Sequence, residues 1–185
     1  MPKLKTYQPN RLKNVIPSKN GKADPIKLDL SHGDLPNAEY IRKDISKLAD
    51  ESVSEVYSAY TLNRIPGPER LKWMSEVWRV LVPQGKITVI VPYWSSPRSI
   101  QDPCAAWPPL CEQSFLYFNK EFRTMNKCEF KGDCDFDFVY GYALDQETAN
   151  KEDNVRSFWI KHYLNTANDL QLTLTKRPKT SPLRT

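Results

Sequence analysis

The nine residues KITVIVPYW (86–94) constrain this chain most. They are nearly continuous in β-branched side chains, which predicts a central strand buried on both faces and so covered by other layers. The residues before them supply a layer. Pro66 and Pro68 suit the first turn of a helix, and Leu71, Met74, Val77, Trp78 and Leu81 recur on one face at three- and four-residue steps until Pro83 stops the run. Ahead of that helix, SEVYSAY (54–60) alternates weakly and is rich in β-formers, a second strand. Strand, amphipathic helix and strand in that order point to an α/β sheet domain.

The rest of the chain extends this unit. IKLDL (26–30) reads as a short buried strand. PYWSSPRSIQDPCAAWPPLCEQ has five prolines and no periodicity, so it is a long loop at the carboxyl end of the central strand, carrying Tyr93, Trp94 and Trp107. EQSFLYFNKEFRTM reads as a short helix. CDFDFVYGYAL places Phe136, Phe138, Tyr140 and Tyr142 on one face of a strand, QETANKEDNVRSFWIKHYLNTA is helical, and DLQLTLTKR alternates Leu170, Leu172 and Leu174 as a last strand. Residues 1–24, with Pro2, Pro9 and Pro17, read as an extended arm. The expected organisation is that arm, a domain over 25–177 and a flexible tail over 178–185.

Length and composition narrow the function classes. The 185 residues suffice for one full core and not two, and 39% hydrophobic with 26% charged residues is the balance of a globular protein. No apolar run approaches the roughly 20 residues of a membrane span, and the start MPKLKTYQPN lacks the apolar centre of a secretory signal, so a cytoplasmic protein with no membrane partner is expected. Cys104, Cys111, Cys128 and Cys134 are then expected to be thiols, mostly packed, and their gaps, with only two histidines, match no paired zinc site. No metal is expected. The net charge of +5 is concentrated at the two ends, where basic side chains can touch phosphate backbones or simply be solvated.

The phrases DESVSEVY, TLNRI, VLVPQGK and ITVIVPYW, in that order, resemble the second half of a class I S-adenosylmethionine-dependent methyltransferase of the small-molecule type, including versions carried by bacteriophages. The resemblance covers roughly residues 26–143. It implies a reduced Rossmann-like methyltransferase sheet, α/β in class, mostly parallel with an antiparallel C-terminal strand. It implies S-adenosylmethionine as cofactor, with Asp29, Ser31, His32, Gly33, Asp44, Ile45 and Tyr60 at the cofactor site. It places Tyr93, Trp94, Arg98, Asp102 and Trp107 beside the methyl acceptor or a partner, and a phage-encoded version would act in the host cytoplasm.

The departures from the pattern are as informative as the matches. The family's Asp-x-Gly-x-Gly turn reads Asp29, Leu30, Ser31, His32, Gly33 here, so one glycine is replaced by a side chain. The family's Glu-His pair is Asn63-Arg64, and the histidine of its Asp-Pro-x-His phrase is Ala105 after Asp102 and Pro103, which removes a general base. Spacing matters more. Neighbouring parallel strands need a crossover of about a dozen residues or more, yet only residues 31–38 separate KLDL from EYIRKDI. The family's ribose-binding strand and two helices have no room, and the ribose acid has no residue unless Glu39 or Asp44 substitutes.

Three functions follow from these residues. The first is a methyltransferase with a compact, degenerate cofactor site and a small-molecule acceptor. The second is a non-catalytic, phage-type protein that binds a host or virion component, or a second copy of itself, through its remodelled loops. The third is nucleic-acid binding through the basic ends, which lack a recognisable motif.

Overall fold

The computed structural model describes residues 25–33, 40–129 and 132–178. Five strands, β1 (Ile26–Asp29), β2 (Val53–Ala59), β3 (Leu81–Pro92), β4 (Phe136–Leu144) and β5 (Ala167–Lys176), form one sheet in the order β1-β2-β3-β5-β4. The pairs β1–β2 and β2–β3 are parallel, and β5 is antiparallel to both β3 and β4. The predicted mixed α/β sheet with β3 at its centre is therefore present.

Helix α1 (Gly67–Val80) is the crossover that a parallel β2–β3 pair requires. It buries Leu71, Met74, Val77 and Val80 against Val56, Ile87, Val89, Val91, Leu170, Leu172 and Leu174. Each such side chain, taken fully from water, contributes about 1.5–3 kcal/mol. The helix ends at Val80, ahead of Pro83. Leu81 already pairs with Val53, and Pro83 and Gln84 form an exposed excursion inside β3, with Gln84 at φ 63°. Gly85 closes that excursion. A Cβ there would stand 2.8 Å from the Val82 carbonyl oxygen and 3.1 Å from that of Ser54.

The expectation of a strand buried on both faces needs correction. Ile87, Val89 and Val91 are sealed, but Thr88 and Ile90 on the other face are only half-buried. The covering helices of a doubly wound sheet come from its crossovers, and between β1 and β2 the described residues contain only a short 3-10 turn, Ile45–Lys47. The predicted single helix over EQSFLYFNKEFRTM is a 3-10 stretch, Glu112–Phe118, followed by α2 (Lys120–Met125). Asn119 interrupts them because its side chain accepts the Phe122 amide and caps α2. The predicted helical region after β4 likewise divides into α3 (Gln146–Ala149), capped by Asp145, and α4 (Asp153–His162).

Of the four cysteines, all free, only Cys134 is fully buried, and Cys104 is exposed, so the thiols are less packed than expected. Burial pushes the Cys134 thiol up. Among the described residues no helix is long and apolar enough to cross a membrane.

Candidate functional site

In open α/β sheets ligands bind outside the carboxyl ends of the strands, where the strand order reverses beside strand 1. Here β1 is the edge strand. Its free side carries one parallel bridge, Leu28 to Ile41, with Asp29 N donating to Ile41 O at 2.8 Å and Ile41 N to Lys27 O at 2.9 Å. The chain also does not turn away after Asp29. Leu30 N donates to Tyr57 O and His32 N to Ala59 O, so pairing with β2 continues through His32, and only Gly33, at φ 81°, has left-handed backbone. Ser31 carries no such strain.

The polar groups of this segment are engaged by the chain itself. The Asp29 carboxylate accepts the Ser31 amide at 2.8 Å and Arg42 Nε at 3.1 Å, while Arg42 Nη2 donates to Gly33 O at 2.7 Å. Ser31 Oγ accepts the Ala59 amide, and Thr61 Oγ1 donates to Leu30 O. The His32 side chain is exposed. A nucleotide turn works by leaving backbone N–H groups and an acid free for the ligand. Here Arg42 takes the acid and the second strand takes the amides. These residues do not fit S-adenosylmethionine in the family's manner.

Asp44 and Ile45 follow Arg42 in the chain and are engaged by other partners. Asp44 caps the 3-10 turn through Ser46, whose side chain and amide hold the carboxyl below the ordinary range. Ile45 is drawn to the last turn of α1, where Arg79 donates to the carbonyls of Ile45 and Leu48 and to Asp50. Glu39 lies outside the described residues.

Tyr60 and Arg98, predicted for different halves of the site, are brought together by a residue the sequence did not single out. Arg98 Nη1 donates to Asp169 Oδ2 at 2.7 Å, and its guanidinium lies 5.4 Å from the Tyr60 ring centroid. Tyr60 OH donates to the same carboxylate oxygen at 3.2 Å, and Tyr60 sits at φ 57°. A non-glycine residue there costs of order 1 kcal/mol, and such strain gathers at functional positions. Asp169 Oδ1 is buried without a hydrogen-bond partner among the described residues, as are Asn63 Oδ1, Arg64 Nε, Ser95 Oγ and Glu112 Oε2. All belong to segments flanking the carboxyl ends of β2 and β3 or the antiparallel start of β5. That end therefore holds the polar capacity, at Asp169 rather than at the Asp29 segment.

The long loop is pinned rather than open. Arg64 pairs with Asp102, which also accepts the Cys104 amide. Arg70 is buried with no carboxylate partner among the described residues. Its Nε donates to Ile65 O, Nη1 to Pro108 O and Nη2 to Ala106 O, and desolvation pushes its pKa down. Beside it an apolar cavity of about 350 Å³ lies between Gly67, Leu71, Pro108, Leu110, Tyr117 and Phe118. Tyr93 is buried and bridges Leu110, Trp94 is partly exposed, and Trp107 is 80% exposed. Among the described residues no cluster of three or more metal-ligating side chains is present.

No family model matches the sequence, and no curated protein matches it. Solved structures do resemble it at low identity. An S-adenosylmethionine-dependent methyltransferase from Archaeoglobus fulgidus is 12% identical over 75% of this chain and 67% of its own, with a TM-score of 0.49. One from Mesorhizobium loti is 13% identical over 76% and 72%, with a TM-score of 0.39. A chain in the complex of the Haloferax volcanii Trm112 methyltransferase activator with a methyltransferase is 11% identical over 77% and 63%, with a TM-score of 0.39.

Proposed function

We propose that this chain is a methyltransferase-like protein whose S-adenosylmethionine site is degenerate and which works by binding a protein partner rather than by transferring a methyl group. The observation that carries the reading is Arg42 on Asp29 and Gly33: the acid and the turn carbonyl of the ancestral site are held by a side chain of the same protein. The ordered match of the phrases over β2, α1 and β3 supports the methyltransferase origin. Ala105 and Asn63-Arg64 in place of the family's histidine positions support the loss of acid–base chemistry. The exposed Trp107, on a loop anchored by Arg70 and Arg64, supports a contact role, since tryptophan and arginine are frequent interface anchors.

Titration calorimetry with S-adenosylmethionine and S-adenosylhomocysteine tests the reading. Silence at millimolar ligand is expected. Micromolar binding of either would restore the enzyme reading, with Tyr60, Arg98 and Asp169 as the residues beside the cofactor or acceptor.

A further inference from the structure

The two edges of the sheet are treated differently. The β1 edge is closed by Ile41 and Arg42, whereas β4 pairs, among the described residues, only with β5. Arg177 N donates to Asp135 O, and Asp135 lies in the register that continues into β4. Antiparallel pairing alternates, so Asp137, Val139, Gly141 and Ala143 turn their backbone groups toward β5. Those of Phe136, Phe138, Tyr140 and Tyr142 turn outward. The Phe136 carbonyl is taken by Asn119 Nδ2 at 3.0 Å, and the outward groups of Phe138, Tyr140 and Tyr142 have no backbone partner among the described residues.

Exposed edges normally carry a protective device such as proline, lysine or a strong bulge. FDFVYGYAL has neither proline nor lysine and one charge, Asp137, its register shift falls at its very end between Ala143 and Leu144, and Val139 is 69% and Tyr140 51% exposed. The strand is also shaped to receive a copy of itself. Gly141 has open space where a side chain would stand, and a shallow depression of about 260 Å³ surrounds it, lined by Val139, Tyr142, Ala143, Gln171 and Thr173.

We infer that β4 is a homodimer interface, pairing antiparallel with β4 of a second copy about a two-fold axis at Tyr140. Antiparallel pairing of Phe136 with the partner's Leu144 is the two-fold register that overlaps the whole strand. It makes Tyr140 face the partner's Tyr140 and Phe138 the partner's Tyr142, each pair with its outward backbone groups available for hydrogen bonds. Val139 then faces the partner's Gly141 in the pairs without mutual hydrogen bonds, where side chains approach most closely, and fills the depression twice over. Asp137 meets the partner's Ala143, so no like charges oppose. On the other face Phe138, Tyr140 and Tyr142, already in tilted and edge-on ring contact at centroid distances of 6.3 and 5.7 Å, extend their row into the partner's.

Sedimentation of the full chain over a concentration series tests this, without any ligand, so its failure leaves the cofactor reading untouched. The wild type is expected to dimerise. Val139→Lys and Gly141→Leu are each expected to weaken association by about tenfold or more, the typical consequence of blocking a packed interface position. Gly141→Leu separates the interface from folding, because the added side chain meets open space within its own chain. Val155→Lys, on exposed α4, should leave the dimer intact. A wild type that stays monomeric, or a dimer that survives both β4 variants, overturns the inference.

Discussion

Arg42 Nε donates to Asp29 Oδ2 at 3.1 Å across a steep gradient of exposure, the Asp29 side chain being 1% exposed and that of Arg42 45%. The carboxylate is thus sealed by a residue that itself reaches water. Removing one partner of a buried pair leaves an uncompensated charge, which costs 3–5 kcal/mol when both are deep, and less where one is screened. Arg42→Ala is expected to lower unfolding free energy by about 2 kcal/mol. Asp29→Asn, which keeps an acceptor for the Ser31 amide, should cost less. Urea midpoints of the two variants check the order; equal midpoints for Arg42→Ala and wild type would remove the clamp from the account.

Arg70 binds three main-chain carbonyls from two separate segments, Ile65 on one side and Ala106 and Pro108 on the other. Arg70→Met retains the aliphatic stem and abandons all three acceptors. A loss of about 3 kcal/mol is expected. Hydrogen exchange should accelerate at the amides of Ala106 and Gly67, which bond across the same junction to Asn63 O and Trp107 O. Unchanged exchange there, with a lowered midpoint, would place the role of Arg70 elsewhere.

Gly85 sits where a Cβ would meet two backbone oxygens and the Leu81 side chain. Backbone gives way less readily than a side-chain tip, so Gly85→Ala is expected to cost about 1–3 kcal/mol, the usual range for overpacking. Lys72→Ala, on the exposed side of α1, is the contrasting control, expected to change stability by no more than about 0.5 kcal/mol. Thermal unfolding of the pair measures the difference.

Glu55 accepts a hydrogen bond from Tyr40 OH at 2.9 Å and pairs with Lys27 at 3.2 Å, and these contacts, Tyr40 first, hold its carboxyl below its ordinary value of 4.5. A carboxylate depressed in the folded state stabilises it fully above the unfolded pKa, and the contribution is lost as pH falls through the folded one. Stability measured downward from pH 6 should therefore decline more gently in Tyr40→Phe than in the wild type below about pH 4.5. Parallel curves would show that the shift has no energetic weight.

The sheet was legible in the sequence where one rule dominates. Apolar periodicity placed β2, α1, β3 and β5, because burial on one side decides those residues regardless of partner. Boundaries set by capping were less visible, although Asn119 ahead of KEF and Asp145 ahead of QET are the signals that divide the two predicted helices. The shortened connection after β1 could be counted from the chain. Its consequence for β3, a second face only half-buried at Thr88 and Ile90, could not be read from β3 itself, whose composition is that of a fully buried strand.

The candidate site was harder to read because its pairs join distant residues. Arg98 and Asp169 are 71 positions apart, and Asp169 looks in sequence like the polar start of an ordinary alternating strand. Arg42 gave no local cue either. It matters only because a single bridge at Ile41 delivers it to Asp29.

That one-residue bridge also sets a limit on stoichiometry. A sheet with both flanks available can grow by head-to-tail addition into a filament, whereas a chain whose β1 flank is stopped by Ile41 offers, among its described residues, a template on one side only. Pairing through β4 uses up that template in both molecules at once, so the assembly terminates at two chains, and an aromatic strand that would otherwise be an aggregation hazard becomes a closed seam.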